Sequence, residues 1–312
     1  MSLSAILNLL ETAVELGLLN SLTVLALFLS YSMLNVCDLS TDGCFTFGAT
    51  VGAVVAVSGH PYLSIPAAML AGVASGFITA ILQTKMGVDS LLSGIIVNTA
   101  MYSVNIAVMS GSSLINMNKT DTIFTKLKSL LDGTPLKSHS SLIIAAAAAA
   151  LVVLFLSLFL RTRLGLAIRA TGDNPDMVRS SSINTVFTTI VGLCVANAFT
   201  ALSGCLQAQY QKSVNIDIGS GFLTVALASL LIGRTFLGKG KIAVRAVGAV
   251  LGAIVFRIVY ATALRFNMPA FMLKLVSSVI VVIAISAPYL KRQLPLIKQK
   301  LSHRRKKEAR DA

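Results

Sequence analysis

The sequence predicts an all-α polytopic membrane protein with about nine transmembrane helices, in a range of roughly eight to ten. The chain of 312 residues is 55% hydrophobic and only 12% charged, with a mean hydropathy of +0.82. A water-soluble surface requires more charge than this. In addition, the run Leu142–Leu160 has 19 residues with no charge and one hydroxyl group, which is about the length that a helix needs to cross a bilayer core.

Apolar segments follow one another along most of the chain, and their lengths define the predicted helices. The stretch 1–17 carries most of its leucines on one helical face, so we expect a separate helix at the membrane interface, where a tenth crossing could also lie. Glycine and alanine recur at three- and four-residue spacing, which favours close helix packing in lipid. The predicted crossings are 19–37, 43–58, 62–82, 91–110, 141–160, 183–206, 218–233, 242–264 and 270–290.

The basic residues are concentrated between and after these segments. Of the 26 Lys and Arg residues, nine lie in the last 22 positions, and others cluster in 161–184 and 234–241. Because cytoplasmic loops are enriched in Lys and Arg, we expect residues 1–290 to form one transmembrane domain with a cytoplasmic loop at 161–184, and 291–312 to form a basic cytoplasmic tail. The same alternation places 111–139 outside. No aromatic residues are interleaved for base stacking, so the charge does not indicate nucleic-acid binding.

Catalysis and cofactor binding are not indicated. The four cysteines have no metal-ligand spacing and the three histidines are scattered. The stretch "GRTFLGKG" at 233–240 is similar to a phosphate-binding P-loop, but Gly240 replaces the Ser or Thr that would ligate magnesium. We therefore expect no enzymatic activity and no cofactor, and we interpret this stretch as a turn between two helices.

The loop 161–184, "RTRLGLAIRATGDNPDMVRSSSIN", contains start signals for a short helix. Asn174 is a good N-cap, Pro175 suits the first helical position, and Asp176 complements the positive end of the helix. Gly172 is expected to let the chain bend into this helix. The residues assigned to this element are Arg163, Gly165, Arg169, Gly172, Asp173, Asn174, Pro175 and Asp176.

This pattern of basic residues, glycines and a short helix resembles the cytoplasmic coupling loop of ABC importer permeases, specifically the branched-chain amino acid and ribose permease family. Two further stretches are similar to the same family. "NVCDLSTDGCFTFGA" at 35–49 resembles its segment where one helix ends and another restarts. "SLLIGRTFLGKGKI" at 229–242 resembles its late glycine-rich turn, with Arg234 and Lys239 replacing glycines.

The resemblance implies a non-catalytic permease subunit in the cell membrane. Its implied partners are ABC ATPase subunits, which dock on the short helix, an extracytoplasmic substrate-binding protein, and a second permease copy or homologue. It implies transport of a small polar solute and favours an aromatic or branched-chain amino acid, since the motifs are most similar to members assigned to aromatic amino acids. Sugar or nucleoside import is an alternative. A stand-alone secondary transporter or channel is another, but it would not need a docking helix at 161–184.

Polar residues within the apolar segments are candidates for the wall of a translocation path. Asn98, Tyr102 and Asn105 have the spacing of a single helical face. Hydrogen bonds between helices are an equally plausible role for each candidate. A faint similarity between Asp38–Thr46 and Asp217–Thr224 could reflect an inverted repeat with broken helices. The candidate path residues are Asn35, Asp38, Ser40, Asn98, Tyr102, Asn105, Asn197 and Gln207.

Overall fold

The computed structural model describes residues 3–130, 132, 137, 139–238, 240–264, 275, 278–283 and 286. The predicted ninth crossing, 270–290, lies mostly outside these residues, and the tail 291–312 lies entirely outside them. The elements in chain order are α1 (Leu3–Leu27), a π-helical segment (Phe28–Met33), α2 (Thr41–Val57), α3 (Ser64–Thr84), α4 (Ser90–Val108), β1 (Leu114–Asn116), α5 (Ile123–Leu130), α6 (Ser140–Phe159), α7 (Arg163–Asp173), α8 (Pro175–Ser180), α9 (Thr185–Gln211), β2 (Ser213–Asn215), α10 (Phe222–Leu237) and α11 (Ile242–Leu264).

Six of the described helices are long and apolar enough to cross a membrane, and they include α1 together with its π-helical extension. Two shorter apolar helices, α2 and α10, accompany them. The all-α polytopic class is therefore confirmed. The predicted number of nine crossings and the inverted repeat stay predictions.

The N-terminal region differs from our expectation. Residues 3–33 form one continuous helical run rather than an interfacial helix followed by a separate crossing. No proline interrupts this stretch, and its one glycine, Gly17, packs closely against the backbone of Ile254 in α11. Tertiary packing thus holds the chain helical through a region where we had predicted a boundary.

Helices α1 and α9 form the centre of the bundle. Most of their residues are buried, whereas most residues of α3, α4, α6 and α11 are not. Helix α9 packs against α2 and α3 through small residues: a Cβ at Gly48 would overlap the backbone of Ala201, and one at Gly204 would overlap that of Phe45. The predicted close packing of glycine- and alanine-rich helices is present here.

The two ends of the bundle carry different elements. At one end, which we call the sheet end, β1 pairs antiparallel with β2 in the register Leu114↔Asn215. Helix α5 also lies there, since the side chain of Gln209 at the end of α9 accepts a hydrogen bond from the Ile123 backbone N–H at 3.0 Å. None of these elements was predicted from the sequence.

At the opposite end, the loop end, lie α7, α8 and the turn that joins α10 to α11. The Thr171 hydroxyl of α7 hydrogen-bonds the Thr188 hydroxyl near the start of α9, at 2.9 Å. The glycine-rich turn is shorter than predicted, because Gly233 is inside α10, which continues to Leu237. Gly233 contacts the backbone of Gly248 and so lets α10 and α11 approach closely.

Candidate functional site

A cavity of about 300 Å³ lies where the N-termini of the two short helices, α2 and α10, meet α4. Helix α2 begins here and runs to the sheet end, where Ala56 belongs to one apolar cluster with Val214 of β2. Helix α10 begins here and runs to the loop end. The lining residues are mostly polar: Asp42, Gly43, Thr46, Asn98, Thr99, Tyr102, Asn105, Ile216, Asp217 and Ser220.

Asp42 joins the two short helices. Its carboxylate accepts hydrogen bonds from the backbone N–H groups of Gly221, at 2.9 Å, and Leu223, at 2.7 Å. Since Asp42 is also in the first turn of α2, one negative charge lies at the positive ends of two helices. The sequence marks Asp42 only as one of several polar residues near the first helix break, and the contact with α10 distinguishes it from an ordinary first-turn aspartate.

Three candidate residues from α4 line the cavity together. Asn98, Tyr102 and Asn105 lie on one face, as their spacing predicted. Asn105 is buried and donates a long hydrogen bond of 3.4 Å to the Gly43 carbonyl, while its Oδ1 atom has no partner among the described residues. The cavity therefore presents amide and hydroxyl groups that can still bind a polar solute.

Three other candidates, Asp38, Ser40 and Asn197, form a buried network away from the cavity lining. The Asp38 carboxylate accepts from the Ser40 backbone N–H at 2.8 Å and the Ser40 hydroxyl at 2.6 Å. Its other oxygen accepts from Asn197 Nδ2 at 2.7 Å. All three side chains are almost fully buried. This network connects the non-helical segment before α2 to α9. These residues therefore form interhelical hydrogen bonds, which was the alternative to a role in the translocation path.

The two remaining candidates, Asn35 and Gln207, are also absent from the cavity lining. Asn35 is exposed and has a positive φ of 57°, a conformation that asparagine tolerates better than most residues. It lets the chain turn after the π-helical segment. Gln207 is buried in α9, and its Oε1 atom has no hydrogen-bond partner among the described residues.

The two stretches with the faint sequence similarity contact each other. The rings of Phe45 and Phe222 stack with centroids 4.1 Å apart, beside the hydrogen bonds from Gly221 and Leu223 to Asp42. Asp217, on the second stretch, lines the same cavity. These contacts place two helix starts of similar sequence side by side, although the described elements do not establish an inverted repeat.

The loop 161–184 contains two helices rather than one. The predicted start of α8 is confirmed: the Asn174 side chain accepts from the Met177 N–H at 3.1 Å, Pro175 follows, and Asp176 lies in the first turn. Helix α7 was not predicted. Its N-cap is Thr162, whose hydroxyl accepts from Gly165 N–H at 3.2 Å, and it carries Arg163, Gly165, Arg169, Gly172 and Asp173.

Our expectation for Gly172 was wrong in its mechanism. Gly172 is helical and does not form a bend. A Cβ at this position would overlap the carbonyl oxygen of Met33 and lie 2.7 Å from the carbonyl carbon of Leu34. Glycine is therefore needed so that α7 can contact the backbone where the π-helical segment ends.

The outer surface of α7 and α8 is exposed and of mixed character. Leu166 and Met177 are large apolar side chains that are 51% and 69% exposed. Arg163 and Asp176 are exposed beside them. A surface with apolar residues and a charged rim is typical of a protein interface.

Comparison with known proteins matches residues 9–285 to the family described as "Branched-chain amino acid transport system / permease component". The chain belongs to this family. The resemblance found in the sequence is confirmed, and the protein is a multi-pass membrane protein of a permease family. No solved structure matches the chain significantly.

Individual relatives transport different solutes according to their descriptions. A tyrosine transport system permease protein of Clostridioides difficile is 30% identical, covering 85% of this chain and 86% of its own length. A ribose import permease protein of Escherichia coli is 25% identical, covering 70% and 66%. A guanosine ABC transporter permease protein of Bacillus subtilis is 27% identical, covering 60% of each chain.

Proposed function

We propose that this protein is the permease subunit of an ABC importer and that α7 and α8 transmit the motion of a separate ATPase to the polar cavity. The observation that carries this proposal is a continuous series of contacts. Helix α7 touches the chain at Met33 and Leu34 through Gly172. A few residues further along the chain α2 begins, and its first turn lines the cavity.

Each step of this connection is well fixed. Asp38 binds both Ser40 and Asn197 of α9, so the short segment between Leu34 and α2 cannot easily absorb a displacement. At the far end, Asp42 binds the N-terminus of α10. A movement of α7 would therefore change the position of both short helices. These contacts support a mechanical connection from α7 to the cavity.

The energy source must be a partner under this proposal. Residues 233–237, which imitate the start of a P-loop, are helical, whereas a nucleotide-binding loop needs irregular backbone with its N–H groups directed at phosphate. The exposed face around Met177 is the surface we assign to the ATPase. An extracytoplasmic binding protein and a second permease copy complete the proposed importer.

We assign the cavity to the translocation path and favour an amino acid as the solute. Among the described residues, the lining includes two carboxylates, Asp42 and Asp217, and no Lys or Arg. Asp42 already binds α10, whereas no described group binds the Asp217 carboxylate. An ammonium group is the natural partner of such a carboxylate, and the tyrosine transport relative agrees with this preference. Sugars and nucleosides, which offer hydroxyl donors to the same amides, are the alternative.

Reconstitution tests the class and the substrate together. The permease is purified with its ATPase, placed in proteoliposomes with ATP inside, and supplied with its binding protein and labelled tyrosine, ribose or guanosine. We expect uptake of the amino acid that stops when the ATPase cannot hydrolyse ATP. Uptake that continues on an ion gradient without the ATPase would instead indicate a secondary transporter.

The polar face of α4 provides a second test. We expect Asn98→Ala and Asn105→Ala to lower uptake severalfold at unchanged assembly with the ATPase, because both amides line the cavity. Thr99→Ala is less informative, since its hydroxyl already donates to Ile95 O at 2.9 Å within α4. Ser103→Ala, on the same exposed helix but outside the lining, is the control. Loss of folded protein in detergent, with normal uptake per folded molecule, would indicate that the amides are structural.

The orientation can be determined by labelling introduced cysteines with a membrane-impermeant reagent. Ser182, at the loop end, and Lys119, at the sheet end, are both exposed. We expect Lys119→Cys to be labelled in intact cells and Ser182→Cys only after permeabilisation, because the basic loop should be cytoplasmic. The wild-type chain controls for its own four cysteines. The reverse pattern would contradict the proposed docking of an intracellular ATPase at α7 and α8.

A further inference from the structure

A second cavity, of about 370 Å³, lies between α1 and α11 towards the sheet end. It is separate from the polar cavity, since the two have no lining residue in common. Its lining includes four polar side chains, Asn8, Thr12, Arg257 and Tyr260. The remaining wall is apolar and consists of Leu9, Ala13, Leu16 and Ala261.

Arg257 has an unusual environment for a charged residue in an apolar helix. Its guanidinium lies 5.3 Å from the ring centroid of Tyr260, but within the described part of the chain it forms no ion pair and no hydrogen bond. On α1, Glu15 accepts from the Tyr210 hydroxyl at 2.7 Å and Glu11 contacts His139, and neither forms an ion pair with Arg257. A guanidinium with five N–H donors is costly to leave unpaired within a bilayer.

The rest of the chain does not offer a carboxylate either. Of the 12 Asp and Glu residues, all but Glu308 and Asp311 lie in the described part. Those two belong to the basic tail, beyond the last apolar segment. No described carboxylate forms an ion pair with Arg257, so its guanidinium is available to an anion from outside this polypeptide.

The position of Arg257 fits a lipid headgroup. It lies seven residues before Leu264, the last described residue of α11, and so in the part of this helix towards the sheet end. A long arginine side chain can extend from an apolar helix towards the phosphate level of the membrane. The apolar residues of α1 in the same cavity then lie where an acyl chain would run.

We propose that this cavity binds the phosphate group of an anionic phospholipid in the leaflet at the sheet end. Arg257 donates paired hydrogen bonds to the phosphate oxygens, as guanidinium groups do. Asn8 and Thr12 provide further polar contacts at the mouth of the cavity. The proposal depends on membrane insertion alone and is independent of the importer mechanism and of the transported solute.

Lipid binding to the purified full-length chain in detergent tests this site. Phosphatidylglycerol is titrated while bound lipid is measured by native mass spectrometry and the unfolding temperature is followed. We expect Arg257→Gln to weaken phosphatidylglycerol binding about tenfold, and Arg257→Lys to restore part of it. Lys119→Gln removes an exposed positive charge at the same end and should leave binding unchanged.

Two further additions identify the source of the phosphate. Diacylglycerol with the same acyl chains should bind weakly, because it lacks the phosphate. Inorganic phosphate at millimolar concentration should not raise the unfolding temperature. Stabilisation by inorganic phosphate that disappears in Arg257→Gln would overturn the lipid assignment in favour of a soluble anion.

A cavity-filling variant tests the lipid site without removing Arg257, in case Arg257→Gln does not fold. Thr12→Phe places a ring in the cavity from an exposed position of α1 while keeping Arg257. We expect it to lose phosphatidylglycerol binding as Arg257→Gln does. If both variants are folded and bind phosphatidylglycerol as tightly as the wild-type chain, the proposed lipid site does not exist.

Discussion

Replacing Gly172 by alanine is expected to lower both the stability of the protein and its ATP-driven uptake. The added Cβ would overlap the Met33 carbonyl oxygen, and backbone cannot move aside as a flexible side chain can. Overpacking of this kind costs about 1–3 kcal/mol. Because the displaced contact lies on the path from α7 to the cavity, uptake per folded complex should fall further than the loss of folded protein explains.

Gly192→Ala is a closely matched control for this experiment. Gly192, on α9, approaches the same turn, but its added Cβ would meet only side-chain methyl groups: those of Leu34 at 3.0 and 3.9 Å and Cγ2 of Ile168 at 3.7 Å. Side-chain methyl groups can shift by a few tenths of an ångström more easily than backbone, so we expect a smaller effect than at Gly172. The measurements are the unfolding temperature and the ratio of solute transported to ATP hydrolysed. An unchanged ratio in folded Gly172→Ala complexes would show that this contact does not carry coupling.

Replacing Asp42 by alanine should reduce uptake by about tenfold or more, since 1.4 kcal/mol corresponds to a factor of ten in rate. The change removes the acceptor of two backbone N–H groups at the start of α10. Hydrogen bonds to a charged group contribute about 1.5–3 kcal/mol each. It also removes the negative charge that lies at the N-termini of both short helices, so their relative position would no longer be fixed.

Two further variants show whether the loss of uptake in Asp42→Ala is specific to this position. Asp42→Asn keeps an acceptor oxygen but loses the charge and should give an intermediate effect. Asp89→Ala removes another capping aspartate, which accepts from the Leu91 N–H at 2.9 Å on the exposed start of α4, outside the cavity lining. It should cost stability without a specific loss of uptake. Equal uptake by wild type and Asp42→Ala complexes would contradict the assigned role of Asp42.

Sequence patterns predicted those features that depend on residues within one or two helical turns. The start of α8 followed from Asn174 and Pro175, because capping and the fixed φ of proline act within one turn. The shared face of Asn98, Tyr102 and Asn105 followed from helical periodicity alone. The prediction failed for two elements: α7 was taken for a loop although Thr162 caps its start, and the continuation of the first helix through residues 3–33 was missed.

By itself, the sequence determined that this chain is a multi-pass membrane protein of the permease family, since hydropathy, charge distribution and short motifs are local properties. The tertiary structure alone decided what each polar residue contacts. Asp38 and Asp42 are four positions apart and look equivalent in sequence, yet one binds Asn197 in a closed network and the other joins α2 to α10 at the cavity. Their partners come from helices more than 150 residues away, and no local pattern encodes which buried donor a carboxylate will meet.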